Sequence, residues 1–381
     1  MDDVTSQVKT DVGLTTPRAL SSGHKLHWYE LGEVLGQGAY GITYAARDVN
    51  LDQAVAIKEY FPDGFAKRDG ADVVQPAGSD AEDAYTWGLT RFLDEAQTLA
   101  KFRHPAIVRV SSVFEANGTA YMVMDFERGK TLAELIKAGA IIGESRLLAI
   151  VLPLINGLEH VHESGIIHRD IKPANIIMRS DGSPVLLDFG AARQAGDAGD
   201  RQLTNIGTPG YAPFEQFDGS GEAKQGPWTD IYSLGVMLYE IVGGQRPTDA
   251  LRRGAALMDG GKDPLRPLNH QELSQCYSAE LLGAIEHALA FRVPDRPRSI
   301  KDWRALYPVL STRSRQTTRS FETGSATAVK DSAPGKKTFS NMDEAVNAAL
   351  VTESTRSTVQ SLHVMVVDDE PFVLNLLKRI L

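Results

Sequence analysis

The stretch from His168 to Gly190 constrains this chain more than any other. Two short apolar runs, Ile176–Met178 and Val185–Leu187, flank Asp181-Gly182, a dipeptide favoured in two-residue hairpin turns. A hairpin centred on that turn, with no bulge, sets residue i opposite residue 363 − i, so Asn175 faces Asp188 at its open end. A carboxamide and a carboxylate held side by side offer oxygen ligands suited to a hard divalent cation such as Mg2+. Asp170 lies five residues before Asn175, on the loop entering the same place, where it can accept a proton from an incoming hydroxyl. Lys172, two residues on, can neutralise charge on a transferring phosphate.

The rest of the chain divides by periodicity. From Trp28 to Lys58 the text is strand-like, with glycines marking a turn, and two more strands are expected around Ile107–Glu115 and Ala120–Asp125, joined at Asn117-Gly118. A polar insertion, Asp63–Asp83, reads as a solvated loop ahead of a helix that ends near His104. After Gly129 the pattern turns helical, with candidate helices at Leu132–Ala138, Glu144–Ser164, Thr229–Gly243 and Ala279–Phe291. The expectation is an α+β chain with a β-rich first lobe, residues 26–125, a helical second lobe, 126–310, and a ligand cleft between them.

Residues 1–25 read as a loose leader and 311–361 as a Ser/Thr-rich linker with one short helix near Met342–Val351. A net charge of −9 argues against nucleic acid as the main partner, and the single cysteine, Cys276, excludes a disulfide framework. The N-terminus is no secretory signal and no apolar run is long enough to span a bilayer, so a cytoplasmic chain is expected.

Two further groups belong with the hairpin. In Gly36-Gln37-Gly38-Ala39-Tyr40-Gly41 the glycines lie between two strands, where backbone N–H groups can approach phosphate oxygens with no Cβ in the way. An ordinary hairpin turn would use the same residues. Lys58 ends the apolar run Val55-Ala56-Ile57, and Glu95 shares a helix face with Phe92, Leu99 and Phe102. A carboxylate on an apolar face is costly to bury without a cation, so Lys58 is expected to meet Glu95 and to point at the α- and β-phosphates of a nucleotide. A position for Glu95 at the wet margin of that stripe is the alternative.

With these motifs in order, residues 26–310 resemble the eukaryotic-like Ser/Thr protein kinases of bacteria. The roles given to Asp170, Lys172, Asn175 and Asp188 are those of the general protein-kinase scheme for phosphoryl transfer. The resemblance implies the two-lobed protein kinase fold, ATP and Mg2+, protein substrates with Ser or Thr acceptors, and a catalytic set of Asp170, Lys172, Lys58 and Glu95. It implies a nucleotide site of Leu35, Gly36, Gly38, Gly41, Ala56, Lys58, Met124, Asp125, Phe126 and Glu127, with Met124 as gatekeeper and Asn175 and Asp188 on the metal. It further implies that Glu215 pairs with Arg296, that Asp230 braces the catalytic loop, and that Thr208 contacts Asp170. Arg169 would bind a phosphate on the activation segment, with autophosphorylation expected at Thr204.

Three departures stand out. Pro213-Phe214-Glu215 replaces the usual Ala-Pro-Glu, Thr43 stands where valine is usual after the glycines, and Lys58 and Glu95 are 37 positions apart, more than most kinases use. The tail, His363-Val364-Met365-Val366-Val367-Asp368-Asp369-Glu370, resembles the first strand and acidic loop of a response-regulator receiver domain. That gives residues 362–381 as the clipped start of a receiver-like β-α tail, and two-component signalling proteins as possible partners.

Overall fold

Alternating burial builds the first lobe. In the computed structural model, which describes residues 18–70, 72–139, 142–189, 193–194, 208–217 and 225–311, six antiparallel strands form one sheet. In chain order they begin β1 (Lys25–Leu26), β2 (Tyr29–Gly38), β3 (Gly41–Asp48) and β4 (Gln53–Tyr60). Then come a small hairpin, β5 (Ala66–Arg68) and β6 (Val74–Pro76), the helix α1 (Glu82–Leu99), and strands β7 (Val110–Ala116) and β8 (Thr119–Asp125). The sheet order is β1-β2-β3-β4-β8-β7, which puts β4 and β8 in its interior. Accordingly β8 is buried from Thr119 to Met124. Asn117 and Gly118 both have positive φ, the mirror-image turn that suits right-twisted strands and that the Asn-Gly dipeptide favours.

The insertion is not a solvated loop. It folds into the β5–β6 hairpin and docks on the sheet because Arg68 answers a buried charge. Its guanidinium lies 2.6 Å from the Glu59 carboxylate, and the two side chains are 2% and 0% exposed. Glu59 also accepts hydrogen bonds from the phenols of Tyr44 and Tyr121, each at 2.8 Å. Gly118 closes the contact: a Cβ there would lie 2.4 Å from the Val74 carbonyl oxygen.

The second lobe opens with β9 (Lys130–Thr131) and α2 (Leu132–Lys137), started by a reciprocal Thr131–Glu134 capping box, and continues with α3 (Glu144–Glu163). Strands β10 (Ile166–Ile167), β11 (Ile176–Met178), β12 (Pro184–Leu186) and β13 (Arg193–Gln194) follow. The helices α4 (Pro227–Gly243), α5 (Ala250–Met258), α6 (His270–Leu273), α7 (Ala279–Ala288) and α8 (Ile300–Leu306) complete it. Buried residues on α3, α4 and α7 form its core, with Trp303 fully enclosed and donating its indole N–H to the Ala284 carbonyl at 3.1 Å. No helix among the described residues is long and apolar enough to cross a membrane. Thr204, the linker beyond Ser311, its short helix and the receiver-like tail lie outside the described residues.

The register of the β11–β12 hairpin differs by one from the expected one. Ile176 faces Leu186 and Ile177 faces Val185, so partners sum to 362. The loop holds three residues, Ser180, Asp181 and Gly182, closed by a 2.9 Å bond from the Arg179 N–H to the Ser183 carbonyl, with Gly182 at φ +82°. A three-residue loop ending in a left-handed glycine is the next commonest hairpin connection, and it shifts the pairing by one. Asn175 therefore lies opposite Leu187, whose N–H reaches the Asn175 carbonyl at 2.8 Å.

Candidate active site

That slip does not separate the two polar residues. Asn175 and Asp188 line one cavity of about 380 Å3, together with Gly36, Gly38, Gly41, Lys58, Asp170 and Lys172. Its roof is the β2–β3 hairpin, whose two bulges between Leu31 and Gly36 bend the strand toward the tip at Ala39-Tyr40. The glycines there serve two purposes. A Cβ at Gly36 or Gly38 would meet open space, with nothing closer than 4.0 Å, whereas a Cβ at Gly41 would lie 2.1 Å from the Glu59 carbonyl oxygen. Gly36 and Gly38 leave room on the cavity side; Gly41 is required by the neighbouring strand. The tip is also held from below, since the N–H groups of Phe61 and Asp63 donate to the carbonyls of Tyr40 and Ala39 at 3.0 and 2.8 Å.

Lys58 is brought to the cavity by β4 and is 6% exposed. Its ion pair in this structure is with Asp188, a short contact to Oδ1. Burial works against the ammonium, but the charges of Asp188 and then Glu95 outweigh it and hold the Lys58 pKa above the ordinary lysine range. The Glu95 charge is felt at Lys58 in second place behind Asp188, which is the ion-pair partner here. Asp188 itself sits at φ +54° and Arg169 at φ +70°, a region side chains other than glycine rarely enter. Both outliers flank the cavity's polar floor, and such backbone persists only where its surroundings hold it.

The floor is a connected set of hydrogen bonds. The Asn175 amide donates to the Asp170 carboxylate at 2.9 Å and to its carbonyl at 2.8 Å. Lys172 donates to the same carboxylate at 2.8 Å and to the Thr208 hydroxyl at 2.8 Å. The Thr208 hydroxyl in turn donates to Asp170 Oδ1, the contact anticipated for it. His168 is held in one tautomer: its Nε2–H donates to the Leu187 carbonyl at 2.9 Å while Nδ1 accepts the Asp170 N–H at 3.2 Å. Its ring packs on Phe189 with centroids 4.3 Å apart. Sequence reasoning gave His168 no role, although its place directly before Arg169 and Asp170 was the signal.

Beneath the loop Asp230 is fully buried and accepts the backbone N–H groups of His168 and Arg169 at 2.9 and 2.8 Å. His162 Nε2–H donates to it at 2.7 Å. Burial would raise the Asp230 pKa, yet these donors hold it below the ordinary carboxylate range. The pairing of Glu215 with Arg296 is also found, bidentate at 2.6 and 3.2 Å and buried on both sides. Gln216, next to Glu215, donates to the Arg169 carbonyl at 2.9 Å, a tie that no motif signalled.

The remaining nucleotide candidates, Leu35, Ala56 and Met124–Glu127, do not line this cavity. Ala56 and Met124 are cross-strand partners on β4 and β8, Leu35 is 45% exposed in the bulged part of β2, and Glu127 holds Arg179 in a forked ion pair. Thr43, paired across the strands with Lys58, does line the cavity.

A protein kinase domain model matches residues 29–260. Among curated proteins the chain is 33% identical over 301 residues to serine/threonine-protein kinase PknB of Mycobacterium tuberculosis (strain ATCC 25618 / H37Rv), covering 77% of this chain and 43% of that one. It is 36% identical over 241 residues to serine/threonine-protein kinase PknB of Mycolicibacterium smegmatis, covering 61% and 34%. The chain thus spans less than half the length of these relatives. Among solved structures, PpkA-294 in its apo form superposes with a TM-score of 0.63 at 34% identity, covering 76% of this chain and all of that one.

Proposed function

Since this chain belongs to the protein kinase domain family, we propose that it is a bacterial-type Ser/Thr kinase that moves the γ-phosphate of ATP onto a protein hydroxyl. The observation that carries the reading is the convergence of Lys58, Asp170, Lys172, Asn175 and Asp188 on one cavity under a glycine hairpin. The residues fit the groups the family implies. Asn175 and Asp188 supply the oxygen donors a hard divalent ion needs, and Gly36 and Gly38 leave open space where phosphates would lie. When bound, Mg2+ neutralises charge on the phosphate oxygens.

Asp170 would orient the acceptor hydroxyl and receive its proton as the new O–P bond forms and the bond to the leaving ADP breaks. The Thr208 hydroxyl already donates to Oδ1 of Asp170, which supports that seat for an O–H donor. Lys172, bonded to Asp170, brings its positive charge beside the developing oxyanions. Lys58 would swing between Asp188 and the nucleotide phosphates. Met124 and the backbone of Asp125–Glu127 would hold the purine, with Leu35 and Ala56 on its faces. Phosphorylation of Thr204, read by Arg169, and a link to two-component signalling through the receiver-like tail are further parts of the proposal.

The test is incubation with γ-labelled ATP, Mg2+ and a generic protein substrate beside Asp170→Asn. Label on Ser or Thr that disappears in the variant is the expected result. Nucleotide binding with no transfer by the wild type would instead make the chain a scaffold.

A further inference from the structure

A second cavity, about 500 Å3 in volume, opens beside the first and shares Pro209 with it. Its walls carry Gly210 and three arginines, Arg246, Arg252 and Arg266, against a single carboxylate, Asp249. That is a local cationic excess on a chain of net charge −9. Asp249 is already engaged, since it accepts the Arg252 N–H at 2.9 Å as the cap of α5 and meets the Arg252 guanidinium at 3.4 Å. Arg246 and Arg252 leave about half or more of their side chains in solvent, at 52% and 65% exposure. Among the described residues Arg266 meets no carboxylate within 4 Å, while its backbone carbonyl is fixed by the Tyr239 hydroxyl at 2.9 Å.

Arg246 is pre-positioned. Its guanidinium lies 5.7 Å from the Tyr211 ring centroid and 3.8 Å from Glu240. Gly210, at φ +87°, makes the space for it: a Cβ there would stand 3.0 Å from the guanidinium. Planar guanidinium groups with unused donors are matched to carboxylate and phosphate oxygens.

Position relative to the catalytic floor gives this chemistry a use. Thr208 touches Asp170, Pro209 lines both cavities, and Gly210 lines the second. Two residues span at most ~7 Å of extended chain, so the arginine cavity begins within reach of about three residues of an acceptor polypeptide whose hydroxyl lies at Asp170. On the kinase reading above, we infer that this cavity is a substrate subsite for an anionic side chain, a carboxylate or a phosphorylated residue, carried by the acceptor polypeptide within about three residues of the phosphorylated hydroxyl.

The test uses the full chain and one serine peptide series bearing glutamate, phosphoserine, alanine or lysine at each of the three positions on either side of the acceptor. The wild type is expected to favour glutamate or phosphoserine over alanine at one or two of these positions by about tenfold in kcat/KM, mostly through KM. The glutamate and phosphoserine arms separate the two sources of charge. In Arg252→Glu/Arg266→Glu that ratio is expected to fall to about one and lysine-bearing peptides to gain. Equal use of acidic and alanine peptides by the wild type, or an unchanged ratio in the variant, overturns the subsite while leaving the kinase reading standing. If no peptide is phosphorylated, anisotropy of labelled acidic and alanine peptides on both proteins decides: acid-selective binding lost in the variant supports the subsite, and no selectivity refutes it.

Discussion

Lys58 and Asp230 carry charge where burial disfavours it. For Lys58 the compensating carboxylates are Asp188 and Glu95, so the side chain remains an ammonium across the physiological range. Lys58→Ala is expected to cut kcat by about 10²-fold or more, on the order of 3 kcal/mol in the barrier, because a preorganised charge is lost from a buried site. Steady-state kinetics on a peptide substrate read this directly. Asp230 serves the backbone: its depressed pKa means the folded protein holds this carboxylate charged more readily than the unfolded chain does. Its contribution to stability is therefore present above the ordinary aspartate pKa, near ~4, and is lost as pH falls below it toward the folded value. Asp230→Asn is expected to lower stability at neutral pH by about 1.5–3 kcal/mol and to flatten the acid limb of stability against pH below ~4. Urea melts at several pH values check both. The residue types at Asp170, Asn175 and Asp188 were readable because the proton transfer and ion binding proposed for them admit few alternatives. The left-handed backbone at Arg169 was not, since an arginine does not announce it, and the aspartate at 188 only raises its odds.

At the scale of elements, the insertion and the β11–β12 hairpin show what a linear pattern leaves open. The Ile-Ile-Met and Pro-Val-Leu strands and the Asp-Gly turn were plain, yet one extra loop residue moved the register. The two polar side chains still share the cavity because Asp188 leaves the ladder after Leu186 and its positive φ redirects it. The docking of the β5–β6 hairpin is hidden in the sequence because its buried charge partner, Glu59, lies on another strand and looks like any exposed carboxylate. Burial, and then the Glu59 charge, push the Tyr44 and Tyr121 phenols well above the ordinary tyrosine pKa, so both remain donors to it. Arg68→Met would strand the Glu59 charge in the sheet and is expected to cost about 3–5 kcal/mol. The hairpin also adjoins the backbone that holds the glycine tip, through Phe61 and Asp63, so the same variant should raise the KM for ATP. Chemical denaturation and nucleotide kinetics on one preparation test the two effects; an unchanged melt would mean the hairpin is not docked through this pair.

For the molecule as a whole, the division into a β-rich and a helical lobe followed from the change of hydrophobic period near Gly129. That signal survives because the buried positions of each lobe keep the period of its own elements, within a hydrophobic core that runs through both. Contacts between distant, ordinary-looking residues were not legible. Gln216 beneath Arg169 and the arginine cavity beside Pro209 are assembled from segments that share no motif. Catalysis as proposed requires that Asn175 and Asp188 present a divalent ion to the phosphates while Asp170 receives the acceptor's proton. Phosphotransfer rate against Mg2+ concentration, for the wild type and Asp188→Asn, tests it most directly. The account predicts a wild-type rate that requires Mg2+, with kcat reduced by about 10²-fold or more in the variant and a higher Mg2+ requirement for what remains. A variant with wild-type turnover and an unaltered Mg2+ dependence would contradict it.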